Sequence, residues 1–303
     1  MFRRYNFRTW LREAETRIAD GAGVLPGTEA VAAPVSKVER HYEAIRTPEQ
    51  LAAWLTRIHD ADVVSVDTET TSLDPLRARI VGISIAIAPG QAAYLPLAHR
   101  GTAAADQLPF DETLAQLKPW LESPTHKKKL GQNLKYDQHV FANHGITLRG
   151  VADDTLLMSY VLASHERHNL DDQAERELGE TTIKYEDLCG KGAKQIGFDE
   201  VAIEQATDYA AEDADIALRL AAALQERLAQ EPRLEALYRD IELPVRDVLF
   251  QMERTGVLLD AQLLSKQSHE LGLRLISLEQ QAYELAGMPF NLGSPKQIGE
   301  IFF

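Results

Sequence analysis

Short β-branched runs come first in this chain and helical spacing comes after, and that order limits the fold more than any other feature. Val63–Val66 is one such run and ends in Asp67. Arg79–Ala88 and Ala92–Leu97 are two more strand candidates, parted by Pro89-Gly90, a turn signal. Leu114–Leu121 has helical spacing, Leu130–Leu134 is a further strand candidate, and Tyr136–Asn143 resumes helix up to Gly145. From Thr155 the chain is mostly helical, most regularly from Thr207 to about Leu228. Strands first, helices interleaved and then dominant, predict an α/β domain with a mixed sheet.

The flanks differ in character. Residues 3–18 read as one amphipathic helix (Phe7, Trp10, Leu11, Ala14), and residues 20–37, rich in Gly, Ala and Pro, as a flexible linker. The compact domain is expected to begin near His41, with Thr47 capping a helix that has Pro48 in its first turn. Past Pro232, residues 233–254 and 260–287 carry long helical periodicities split by Arg254-Thr255-Gly256. Ser294-Pro295 opens another helix that the chain end cuts short at Phe303, so a fragment is expected.

Bulk properties narrow the function. The start, MFRRYNFRTWLRE, has no apolar stretch behind its arginines, and the longest apolar run, Ile80–Ala88, is too short to cross a bilayer. A cytoplasmic, non-membrane protein is expected. One cysteine, Cys189, allows no internal disulfide. The formal net charge of −14 argues against wrapping duplex DNA by phosphate neutralisation. It leaves room for a nuclease that holds a few nucleotides through metal ions, stacking and main-chain donors.

Three acidic pieces stand out. In Asp67-Thr68-Glu69, alternation along a strand puts both carboxylates on one face, where they can share a cation, although a strand end is also acidic simply to meet solvent. In Asn133-Leu134-Lys135-Tyr136-Asp137, the plain reading is a helix start with Asn133 as cap and Asp137 favouring the dipole. Tyr209 and Asp213 lie four apart on one helical face. An acidic first turn explains Glu212, Asp213 and Asp215 but gives no reason for the tyrosine. Together the pieces suit phosphodiester hydrolysis by two metals, which needs several carboxylates converging on cations about 4 Å apart. Carboxylates favour Mg²⁺ or Mn²⁺. The nine histidines lack zinc-ligand spacing, and there is no phosphate-binding loop of the Gly-x-x-x-x-Gly-Lys type.

DTET at 67–70, NLKYD at 133–137 and YAAEDAD at 209–215 resemble, in order and separation, the exonuclease motifs of family A bacterial DNA polymerases of the polymerase I type. The likeness extends through VGISIAI (81–87), GQNLKYD (131–137), GKGAKQIGF (190–198) and ERTGVLLD (253–260). It implies a ribonuclease H-like 3′–5′ proofreading exonuclease over residues 39–230. Residues 1–19 would be a remnant helix of a preceding 5′-nuclease domain, residues 20–38 a linker, and residues 231–303 the start of a polymerase domain at the base of its thumb.

The resemblance also implies roles. Asp67, Glu69 and Asp213 would hold a first Mg²⁺, and Asp67 and Asp137 a second, with Mn²⁺ as substitute. Tyr209 would orient the attacking water, and Leu73 would wedge beside the terminal base, although a core or turn leucine is also open. Thr68, Gln132, Asn133 and Tyr136 would contact DNA, with Arg167 and Tyr185 as weaker matches that need a one-residue gap. The implied substrate is a single-stranded DNA 3′ end or a frayed primer terminus, in replication and repair, with no obligate protein partner. Palm and fingers do not follow within the 303 residues, so no primer extension is expected. Three other readings stay open: an exoribonuclease of the ribonuclease D type, a silent scaffold module, and self-association through the apolar faces of 233–287.

Overall fold

The computed structural model describes residues 38–101, 107–125 and 128–303. The expected helix at 3–18 and linker at 20–37 lie outside them. The described chain forms two compact units that divide between Arg254 and Thr255.

The first unit is built on six strands: β1 (His41–Ala44), β2 (Val63–Thr70), β3 (Ile80–Ala88), β4 (Gln91–Pro96), β5 (Lys128–Gly131) and β6 (Val151–Asp154). Their order is β1-β4-β3-β2-β5-β6. The β2–β3 and β3–β4 pairs are antiparallel, while β1–β4, β2–β5 and β5–β6 are parallel. The mixed sheet is therefore as expected, and it places β2 between β3 and β5.

Helices cover both faces. On one side lie α1 (Pro48–Asp60), α2 (Phe110–Leu121) and α3 (Leu134–Asn143). Their Leu51, Trp54, Leu114, Leu117, Leu134 and Phe141 pack with Val64 and Val66 of β2. The other side takes α7 (Ile203–Ala229), reached through α4 (Thr155–Leu162), α5 (Leu170–Gln173) and α6 (Tyr185–Cys189). Ala211, Ala214, Leu218 and Ala221 of α7 pack on Ala86, Ala92 and Leu130. Alanines at this face let the helix approach the sheet closely, which brings short side chains on α7 within reach of β2.

Local chemistry explains the ends. Thr47 and Gln50 form a reciprocal capping box at the start of α1, with Pro48 in its first turn. Gly90 turns β3 into β4 at φ 74°, and its N–H donates to Asp215 Oδ1 at 2.7 Å. A β-carbon there would stand 2.1 Å from the Glu39 carbonyl oxygen. Helices α8 (Pro232–Leu237) and α9 (Leu243–Thr255) follow, with a π-helical segment at Tyr238–Glu242 between them.

Three sequence expectations need correction. The strand expected to end at Asp67 is β2 and runs on to Thr70, so Asp67 and Glu69 stand within it rather than at its end. The strand expected at Leu130–Leu134 is Lys128–Gly131, and helix has begun by Leu134. Asn133 does not cap that helix with its side chain; it sits in the left-handed region at φ 58°.

The second unit, described by itself, holds α10 (Ala261–Ala286) and α11 (Pro295–Phe302). Asp260 caps α10, and Ser294 caps α11. Leu271, Leu273, Leu275, Ile276 and Leu278 of α10 are exposed. No helix among the described residues is long and apolar enough to cross a membrane.

Candidate active site

Period-2 alternation puts Asp67 and Glu69 on the α7 side of β2 and Thr68 on the α3 side. The two carboxylates stand opposite Ser84 and Gly82 of β3. Asp213 comes from α7, one helical turn beyond Tyr209. One ligand atom from each of Asp67, Glu69 and Asp213 can lie within 4.8 Å of the others. That is a three-carboxylate donor set of the kind that suits a hard divalent cation.

The fourth acid approaches from the other layer. Asp137, buried on α3, accepts a 2.6 Å hydrogen bond from the Thr68 hydroxyl. It stands outside the tight group of three yet interacts with Asp67 and Glu69 electrostatically. Thr68 therefore reaches the fourth acid because it points away from the other two.

Burial pushes all four carboxyls above their ordinary range. For Asp67 the rise is to about 6, caused by desolvation. Glu69 is raised by desolvation first, then by the charges of Asp67, Asp213 and Asp137. Asp137 and Asp213 are raised by desolvation and by Asp67. Four acids so close together, Glu69 and Asp137 buried and Asp67 and Asp213 half-buried, form a site whose charge a bound cation would balance. The donor set fits one.

Tyr209 is half-buried and hydrogen-bonded to Asp213. Desolvation and the charges of Asp213, Glu69 and Asp67 push its pKa up, so the phenol keeps its proton. Its ring meets Phe198 at 5.9 Å and Tyr185 edge-on at 6.4 Å. Tyr185, 38% exposed, stacks on Phe198 at 18° between planes. The structure thus brings Tyr185 to Tyr209. Arg167 stays on the surface, in a loose 3.8 Å pair with Asp172.

Leu73 is 94% exposed, which removes the core reading. Its loop is tied down from α3. The Tyr136 phenol donates to the Ser72 carbonyl at 2.6 Å, and Asn143 Nδ2 donates to the Pro75 and Ala78 carbonyls at 2.8 and 3.0 Å. Tyr136 also pairs with the Thr70 hydroxyl. Gln132 is committed within the fold: Nε2 donates to the His168 carbonyl at 2.7 Å, and Oε1 accepts from Thr155 Oγ1 and from Gln173 Nε2. Asn133 is exposed.

Sequence reasoning passed over the floor beneath Glu69. Tyr94 of β4 lies across Gly82, whose β-carbon would meet its hydroxyl at 2.1 Å. His99 must donate from Nδ1 to the Val201 carbonyl at 3.1 Å, so its Nε2 accepts from the Tyr94 hydroxyl at 2.8 Å. A glycine inside a strand run is the available signal for such a close approach.

The other acids of the third motif are scaffold. Glu212 accepts from Arg40 at 2.5 Å and from the Ile183 N–H at 2.6 Å. Asp215 accepts from the Tyr42 hydroxyl at 2.9 Å as well as from Gly90. These bonds tie α7 to β1 and to the turn before β4.

A mixed sheet between helical layers, with acids grouped about its central strand β2, is the ribonuclease H-like fold. Residues 42–229 match the model of the family described as 3′–5′ exonuclease. The chain belongs to that exonuclease family, a class of hydrolases.

Its relatives are polymerases. It is 46% identical over 310 residues to DNA polymerase I of Pseudomonas aeruginosa, covering 100% of this chain and 33% of that protein. To DNA polymerase I of Rhizobium leguminosarum it is 42% identical over 280 residues, covering 86% and 27%. The chain thus spans about a third or less of the length of these relatives. Among solved structures, the POL domain of Pol1 from M. smegmatis, in complex with DNA primer-template and dNTP, aligns with a TM-score of 0.69 at 29% identity. That match covers 86% of this chain and 40% of the other. Brucella melitensis NrnC bound to pGG shares the fold at a TM-score of 0.51 and 21% identity, covering 74% and 99%.

Proposed function

We propose that this chain hydrolyses the terminal phosphodiester of single-stranded or frayed DNA 3′ ends, releasing nucleoside monophosphates with two divalent cations, Mg²⁺ or Mn²⁺. The convergence of Asp67, Glu69 and Asp213 within 4.8 Å, with Asp137 bonded to Thr68 beside them, carries the reading.

Asp67, Glu69 and Asp213 would hold the first cation, and Asp67 and Asp137 the second. Bound cations would supply positive charge that lowers the pKa of a water and stabilises the leaving oxygen. Tyr209 orients the water with a phenol that stays protonated, so it positions the nucleophile and does not abstract a proton. Leu73 stands in solvent on an anchored loop, where an apolar side chain can press against an unstacked base. Asn133, Tyr185 and Arg167 line the approach of the strand, while Gln132, Tyr136 and Thr68 shape it through bonds within the protein. A mispaired terminus frays more readily than a paired one, which favours its removal without base-specific reading.

The larger protein would be a DNA polymerase I that uses this domain for proofreading in replication and repair, in the cytoplasm. Residues 231–303 would begin its polymerase domain.

The test is release of nucleoside monophosphates from 3′-end-labelled single-stranded DNA, with Mg²⁺ or EDTA, beside Asp213→Ala. Mg²⁺-dependent release that the variant lacks is expected. No release by folded protein, even with Mn²⁺, overturns the proposal.

A further inference from the structure

The turn that leads into α3 is held from a distance. A helix start preceded by asparagine ordinarily uses that side chain as its own cap. Here Asn133 makes no such bond and takes the left-handed conformation, the one non-glycine residue among those described with positive φ. That conformation is uncommon outside glycine, and asparagine is among the few residues that take it. Something must hold it.

The holder is Asp154, at the end of β6 and 1% exposed. Its Oδ1 accepts from the Asn133 N–H at 3.0 Å and its Oδ2 from the Leu134 N–H at 2.8 Å. Oδ1 also accepts from the Leu156 N–H at 3.1 Å, so one carboxylate caps both α3 and α4. Its own N–H donates to the buried Tyr238 hydroxyl at 2.9 Å, which anchors it from the far side. The next residue continues the grip, because the Thr155 hydroxyl meets the Gly131 carbonyl and Gln132 Oε1.

Two consequences follow at the proposed site. The Asn133 side chain makes no capping bond, and the residue is exposed. Asp137, one turn further along α3, takes its place from where the helix begins.

We propose that Asp154 is the positioning residue of the turn at 131–134, setting both the placement of Asp137 among the metal-ligating acids and the presentation of Asn133 to a DNA strand. This rests on the nuclease reading above. It assigns no contact with substrate to Asp154.

The test uses the whole chain and two binding measurements that need no turnover. Asp154→Asn keeps the size of the side chain but turns an amide N–H₂ toward a backbone N–H. With folding checked by circular dichroism, the variant is expected to bind Mn²⁺ about 10- to 100-fold more weakly. Its affinity for a single-stranded oligonucleotide in EDTA should fall too. Unchanged binding of both in a folded variant overturns the proposal. Should Asp154→Asn not fold, Asn133→Gly and Asn133→Ala decide. Glycine adopts the left-handed turn freely and alanine does not, so alanine should bind Mn²⁺ more weakly than glycine, and equal affinities overturn the proposal. If the parent chain cleaves no DNA but the Mn²⁺ differences appear, the positioning stands and the nuclease reading falls.

Discussion

The Thr68 hydroxyl donates to Asp137 Oδ1 at 2.6 Å across the end of β2, joining the first acidic motif to the second. Its neighbours Asp67 and Glu69 project to the opposite face, toward Asp213. Replacing Thr68 with valine preserves the branched shape and deletes only this bond. Mn²⁺ affinity, read by titration, should fall about 10- to 100-fold, the usual loss when a ligand's supporting hydrogen bond goes. Thr68→Ser should retain most of it, since it keeps the donor.

Tyr209 and Asp213 share a hydrogen bond, and the proposed function gives them different tasks. Tyr209→Phe should leave Mn²⁺ titration intact and slow single-turnover cleavage about 100-fold, as expected for a misplaced reactant. Asp213→Ala should lose both metal binding and cleavage. An unslowed Tyr209→Phe would exclude the orienting role.

Raised carboxyl pKa values make the metal-free site a liability at neutral pH. The stability contributed by protonated Asp67 is complete below its unfolded value near 3.8 and is lost as pH rises through about 6. Glu69, Asp137 and Asp213 act in the same direction. In EDTA, their part of the Tm profile should therefore fall from pH 4 toward pH 7. Added Mn²⁺ at 100 times its Kd should return about 2.7 kcal/mol, with a larger Tm gain at pH 7.5 than at pH 5.5. Asp213→Ala in EDTA should lie above the parent at pH 7.5.

Gly82→Ala tests the floor. The added carbon would meet the Tyr94 hydroxyl, Cζ and Cε2 at 2.1, 2.2 and 2.4 Å. Overpacking of this kind costs about 1–3 kcal/mol in denaturant titration. Tyr94→Phe should not rescue it, because the ring carbons remain in the way.

Much of this was legible before the structure. Alternation along β2 and the four-residue spacing of Tyr209 and Asp213 follow from the geometry of single elements, and both survive in the fold. What escaped depends on pairs far apart in the chain. The four-residue strands β1 and β6 have little pattern of their own and exist through pairing. Asn133 looked like a cap because local chemistry favours one, and a carboxylate 21 residues away overrides it. Glu212 and Asp215 looked like a helix's acidic turn, while their partners Arg40, Tyr42 and Gly90 lie far upstream. Tyr94 over Gly82 is a cross-strand relation that only register reveals.

The acids come from both sides of the sheet, Asp213 on the α7 layer and Asp137 on the α3 layer, with β2 between them. The grouping of the four acids thus depends on both layers of the sandwich, and neither layer can loosen and leave it intact. In rising denaturant, cation binding should vanish ahead of the bulk loss of helix. Under the proposed function, a copy whose layers had begun to part would lose its cations, and cleavage with them, before it unfolded.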